Sequence, residues 1–213
     1  MDIVIRRARP GEYEAVGEVT ARAYLGDGLL DFGESDTYLT ELRDVAKRAA
    51  AAEVLVAVDG AAGTSPGTAD GILGPGTIDG ILDPGTADGI LDPGTADGIL
   101  DPGTADGILG GVTFVATGGP MADIAREGEA EIRMLAVAAE SRGRGAGEAL
   151  VRACVERARA TEGCVRVVLS SQRTMRAAHR IYERLGFRRT PERDWNPLPE
   201  LDDIVLITYE LTL

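Results

Sequence analysis

The chain has 213 residues, 44% of them apolar and 4% aromatic, with a formal net charge of −13. That length supports one domain with a real core, and the acidic balance argues against nucleic acid or an anionic membrane as partner. No apolar run approaches the ~20 residues of a membrane span, and the opening MDIVIRRARPGEY lacks the apolar stretch of a secretory signal, so a cytoplasmic protein is the expectation.

Ile3-Val4-Ile5-Arg6 reads as a first strand and Arg9-Pro10-Gly11 as a break. Residues 10–24 read as a helix because Tyr13, Val16, Val19, Thr20 and Ala23 recur on one face. A Gly-rich loop covers 25–35, a second helix 36–52, and EVLVAV at 53–58 is an apolar strand.

From Gly67 the chain repeats with a period of nine, in copies starting at Gly67, Gly76, Gly85, Gly94 and Gly103. With residues 61–107 set aside, EVLVAVDG meets ILGGVTFVAT, which is strand, turn, strand. The repeat therefore reads as an insertion at a hairpin tip, where added length costs only a slowly growing closure entropy. Removing these 47 residues leaves 166, the length of a single domain. The segment carries eight Asp and no Lys or Arg, so the rest of the chain has a charge of only −5. Each unit offers one Ile-Leu pair against Pro-Gly and Asp-Gly turn signals, little apolar surface for much glycine entropy. A flexible or irregular loop is the plain reading. A small stacked β-structure and a calcium-binding nonapeptide roll stand beside it.

Beyond the repeat, 108–115 is the second hairpin strand and Glu131–Val137 the next. Arg142-Gly143-Arg144-Gly145-Ala146-Gly147 follows, and then an amphipathic helix over 145–160 with Gly163 past its end. Residues 165–170 form a strand. Residues 174–185 form a helix with apolar Met175, Ala178, Ile181, Tyr182 and Leu185, and Gly186 serves as a left-handed cap. Short strands at 187–190 and 204–211 close the chain around a loop at 191–203. The order βααβββαβαββ makes an α/β protein, a mixed sheet covered by helices. Cys154 and Cys164 have neither zinc nor redox spacing and read as ordinary thiols. His179, the only histidine, reads as a surface residue, which leaves neither a His pair nor a multi-histidine metal site; no metal is expected.

Strand, glycine turn, helix is an arrangement that aims bare N–H groups at an anion, because a helix N-terminus leaves donors unpaired and carries partial positive charge. With R-x-x-G-x-G at Arg142–Gly147 and A-x-x-I-Y-x-x-x-G-F at Ala178–Phe187, the chain resembles the GNAT superfamily of acyl-CoA-dependent N-acyltransferases over its whole length apart from the insert. The resemblance implies acetyl-CoA as co-substrate. Leu135, Ala136 and Val137 would pair their backbone with the pantetheine arm. Arg142, Gly143, Arg144, Gly145, Ala146 and Gly147 would cradle the pyrophosphate. It also implies that Tyr182 protonates the departing thiolate or hydrogen-bonds its sulfur, and that Glu131 is the general base, often through water, with Glu129 nearby. The amine would attack directly, without an acyl-enzyme. One departure is Met175, seven residues before the tyrosine, where many relatives carry Asn; Ser170 or Ser171 is placed to substitute.

The leading reading is N-acetylation of a primary amine. The acceptor is a small molecule or a peptide amine (a protein N-terminus or lysine), bound by residues 24–35 and by Asp194-Trp195. Acidic Asp27, Asp31, Glu34 and Asp194 favour a cationic one. The resemblance admits a homodimer. A non-catalytic acyl-CoA sensor would keep the glycine turn without needing Tyr182, and an interaction protein would use the repeat. The hairpin tip is expected at the cofactor edge of the sheet, away from the acceptor edge.

Overall fold

The structure is a computed structural model and describes residues 2–30, 32–60, 107–200 and 204–213. The repeat and Asp31 lie outside the described residues.

Seven strands form one sheet in the order β1-β2-β3-β4-β5-β7-β6. They are β1 (Ile3–Arg7), β2 (Glu53–Asp59), β3 (Ile108–Val115), β4 (Glu129–Val137), β5 (Arg166–Ser171), β6 (Arg188–Arg189) and β7 (Ile207–Thr212). All neighbours are antiparallel except β4 and β5. That parallel pair is joined through helix α4 (Ala146–Ala160), the crossover such a pair requires. Both hairpin strands lie where the sequence puts them, and their flanks pair directly, Val58 opposite Ile108.

Alternation along the strands explains the helices. On β2, Leu55 and Ala57 point into a core with Leu150, Cys154 and Val155 of α4. Val54 and Val56 point the other way, against Val16 of α1 (Tyr13–Gly26) and Val45 of α3 (Val45–Ala51). Successive strand side chains face opposite sides, so a strand covered on both faces needs apolar residues throughout. The apolar EVLVAV and ILGGVTFV runs fit that demand. Among the described residues no helix is long and apolar enough to cross a membrane.

The expected helix over 36–52 is two helices. α2 (Tyr38–Arg43) ends at Asp44, and α3 begins there. Asp44 leaves helical geometry and its carboxylate accepts from the Lys47 N–H at 2.9 Å. A short acidic side chain serves better as an N-cap than in a helix interior. α5 (Arg176–Arg184) carries Tyr182 on the same sheet face as α4.

Candidate active site

β4 and β5 pair only from Glu129/Arg166 to Ile132/Leu169. Beyond that the two parallel strands separate, and residues 133–137 of β4 keep β3 on one side and have no strand on the other. β4 also carries a bulge there. Between the pairs Gly111/Ala136 and Thr113/Arg133 it holds one residue more than β3. Met134 takes φ +52°, unusual for a side chain of its size. The bulge leaves Met134 and Leu135 outside the register of paired residues.

The gap runs into the glycine turn. Gly143 and Gly145 adopt φ +76° and +91°, conformations that strain any residue with a Cβ. Gly145 is the N-cap of α4 and no side chain caps that helix, so its first-turn N–H groups face the cleft. A cavity of about 620 Å³ follows this path, lined by Leu135, Ala136, Val137, Gly143, Gly145 and Gly147 among others. The Ser141 hydroxyl, on the same wall, is buried and has no hydrogen-bond partner. An uncapped helix start, an orphan hydroxyl and an open strand edge fit a phosphate joined to an extended amide-bearing arm.

Charge at this turn is arranged differently from the expectation. Arg142 holds Asp27 in a bidentate pair at 2.7 and 2.9 Å, and Arg144 reaches Asp59 at 3.1 Å. Arg176 and Arg180, one turn apart on α5, line the cavity with no carboxylate partner among the described residues. They are the available cations at this turn, and their i, i+4 spacing with Arg184 is the signal in the sequence that marks them.

A second cavity of about 570 Å³ opens beside the first, between α1, α2, β4, the end of β5 and the segment around Trp195. Tyr24, Leu29 and Met175 line both. Ser171 belongs to this side. Its hydroxyl lies 3.2 Å from His179 Nε2 and 3.4 Å from the Met175 sulfur. His179 is therefore half-buried rather than at the surface, and its Nε2 also meets the Gln172 carbonyl at 3.0 Å; burial lowers its pKa. Gln172 closes the rim by donating to the Leu29 carbonyl at 2.7 Å. Of the acidic residues expected here, Asp27 is tied to Arg142, and Asp194 to Arg189 at 2.6 Å. Asp36, Glu41 and Asp123 are the carboxylates of this wall.

Tyr182 is 3% exposed, with its ring 5.7 Å from Tyr209 and 6.0 Å from Phe187. Burial pushes its phenol up, and Tyr209 and Cys154 add to the effect. Tyr24's phenol is also raised, by burial first and then by Tyr38 and Tyr182, which marks the three as electrostatic neighbours.

The two acids of β4 differ. Burial would raise Glu129, but Arg193, the Arg126 N–H and Arg166 outweigh it and hold it at about 2. A carboxylate so strongly held is a poor base. Glu131 is fully buried, and its Oε2 accepts from the N–H groups of Asp123, Ile124 and Ala125 at 2.9 to 3.0 Å. Its Oε1 has no hydrogen-bond partner and lies 4.0 Å from Arg133 Nε. Burial raises this carboxyl despite the amides and Arg133. Glu131 and Tyr182 line neither cavity directly.

A model of the acetyltransferase (GNAT) family matches residues 95–187. Comparison with curated protein sequences returns no match. The chain is similar in fold to a GCN5-related N-acetyltransferase from Kribbella flavida, with 19% identity, 99% of this chain and 98% of that one covered, and a TM-score of 0.57. It is similar to a ribosomal-protein-alanine N-acetyltransferase from Brucella melitensis at 14% identity, 99% of each chain and a TM-score of 0.59. It is also similar to a structure of the NatC complex bound to Gag peptide and CoA, at 18% identity, 100% and 99% coverage and a TM-score of 0.54. At such identities the likeness is one of fold.

Proposed function

We propose that the chain is a GNAT-type acyltransferase that moves an acetyl group from acetyl-CoA to a primary amine by direct attack, as a cytoplasmic enzyme; the match of that family's model to residues 95–187 supports the reading. The observation that carries this reading is the pair of cavities meeting at Tyr24 and Met175, one fed by an open strand edge and an uncapped helix.

Leu135, Ala136 and Val137 hold the pantetheine arm by their backbone groups, as a missing strand would be held. Gly143, Gly145, Ala146 and Gly147 bring main-chain donors to the pyrophosphate. Arg142 and Arg144 exchange a carboxylate for a phosphate oxygen, while Arg176 and Arg180 supply charge at lower cost because no partner must be displaced. Ser171, against Met175, stands near the inner end of that arm.

Tyr182 acts at the sulfur. With its pKa raised, the phenol stays protonated at neutral pH, so it donates a hydrogen bond to the developing thiolate rather than surrendering its proton early. Glu131 takes the proton that the amine loses, through Oε1 and a bridging water. Its raised pKa makes it a stronger base than an exposed carboxylate. Residues 61–107 are an insertion in one catalytic domain and leave acceptor choice alone. The direct pairing of their flanks, with Asp59 held by Arg144 at the glycine turn, supports this.

Tyr182→Phe should lower kcat on the order of 100-fold with acetyl-CoA affinity within ~2-fold. Steady-state thiol release and calorimetric titration read the two quantities; unchanged turnover would remove Tyr182 from the chemistry.

A further inference from the structure

We propose that the second cavity selects a small primary amine with an apolar body and no carboxylate. The inference rests on the acetyl-transfer reading above and specifies its acceptor.

The wall has two characters. Leu29, Leu30, Ile132, Met134 and Leu206 make it aliphatic, and Tyr24, Tyr38 and Trp195 add ring faces. Against these stand, among the described residues, three carboxylates, Asp36, Glu41 and Asp123, and one cation, Arg133. Arg133 is already engaged. It pairs with Asp123 at 2.5 Å and donates to the Met121 carbonyl. Behind the wall lie one charge of each sign, both buried: Glu131, and Arg48, which bonds Thr113 Oγ1 at 3.0 Å and the Leu42 carbonyl at 2.7 Å. The balance facing a ligand is negative.

Each rival acceptor meets a specific obstacle. An amino acid would bring a carboxylate to a wall whose one cation among the described residues is taken, beside carboxylates that repel it. A polyamine would press further ammonium groups against aliphatic side chains and lose their hydration. A protein N-terminus brings several peptide groups that need partners, yet Ser171 is committed to His179 and Gln172 to Leu29, which leaves the buried, unpartnered Trp195 N–H to serve a single carbonyl. An apolar amine has none of these costs. Its ammonium needs one anionic neighbour and a path to the junction at Tyr24, the one polar side chain among the described residues that both cavities share. There Tyr24 can meet the ammonium with its ring face or its hydroxyl oxygen. Glu41 is exposed and has no ion pair among the described residues, so its charge is available to attract the amine.

The full chain is assayed with acetyl-CoA and matched amines by thiol release, with acetyl-CoA binding measured separately by calorimetry. 2-Phenylethylamine should exceed L-phenylalanine in kcat/KM by ~100-fold, the cost of a carboxylate against like charge. It should also exceed spermidine and a peptide beginning with phenylalanine. Glu41→Lys should narrow the phenylethylamine-to-phenylalanine ratio roughly 5-fold while leaving acetyl-CoA affinity and Tm unchanged. If acetyl-CoA binds but L-phenylalanine, spermidine or the peptide is preferred, the acceptor class is wrong and the transferase reading stands. If Glu41→Lys leaves the ratio unchanged, the charge argument falls. If acetyl-CoA does not bind and no amine releases thiol, both readings fall.

Discussion

The two cavities are built by different means. The first takes its strand edge, turn and helix start from one run of chain, residues 129–160, and its decisive groups are backbone. The second is gathered from α1, α2, β4, β5 and the segment around Trp195, and its decisive groups are side chains. A backbone-built site constrains the sequence tightly, since only glycine sits easily at φ +76° and +91°. A side-chain-built site can be composed in many ways, which leaves room for different acceptors on one scaffold.

The largest effect should come from the chemistry between the two regions. Glu131→Gln keeps an oxygen for the amides of 123–125 but removes the base, so kcat should fall ~100-fold or more with little change in acetyl-CoA binding. Because burial raises the Glu131 pKa, the base form fills only as pH rises through that raised value. Wild-type kcat should climb with pH there and the variant should lose the limb. A retained limb with kcat within ~3-fold would reduce Glu131 to a loop anchor. Next, Gly145→Val forces a side chain into φ +91°. Strain of ~1–2 kcal/mol should weaken acetyl-CoA binding about 10-fold and leave the amine KM alone; an effect on the amine instead would break the division between the regions. Arg176→Ala with Arg180→Ala should raise the acetyl-CoA KM several-fold at low ionic strength, with the difference shrinking in salt. The smallest effect belongs to deletion of residues 61–107: relative rates across an amine panel should stay within ~2-fold, and a reordered panel with intact acetyl-CoA affinity would tie the repeat to acceptor choice.

The same division explains what could be read in advance. The run of strands and helices, the hairpin and the glycine turn follow from periodicity and from residues that the backbone geometry requires, whereas the role of Tyr182 is what the family resemblance implies. Asp44 was hidden because its neighbours continue a helical pattern and only its capping bond breaks the helix. Asp123 lies too far in sequence from Asp36 and Glu41 to suggest one wall, while the acidic residues near the expected pocket, Asp27 and Asp194, are spent on Arg142 and Arg189. His179 looked exposed on a helix full of arginines, yet it turns inward to Ser171. Of these contacts only Asp27–Arg142 joins residues far apart in sequence; the others are local bonds that periodicity does not distinguish from a continued helix or an exposed face.

The free edge of β4 has a consequence for solubility. A row of unpaired N–H and C=O groups is normally an invitation to another chain, and most proteins keep such rows at the rim, short or charged. Here residues 133–137 put it in the middle of the sheet, at the floor of a cleft between α1 and α5. A slender extended molecule can slide in, but a second sheet cannot reach it. The fold thus keeps an open strand edge at the floor of a cleft, shielded from pairing with another sheet.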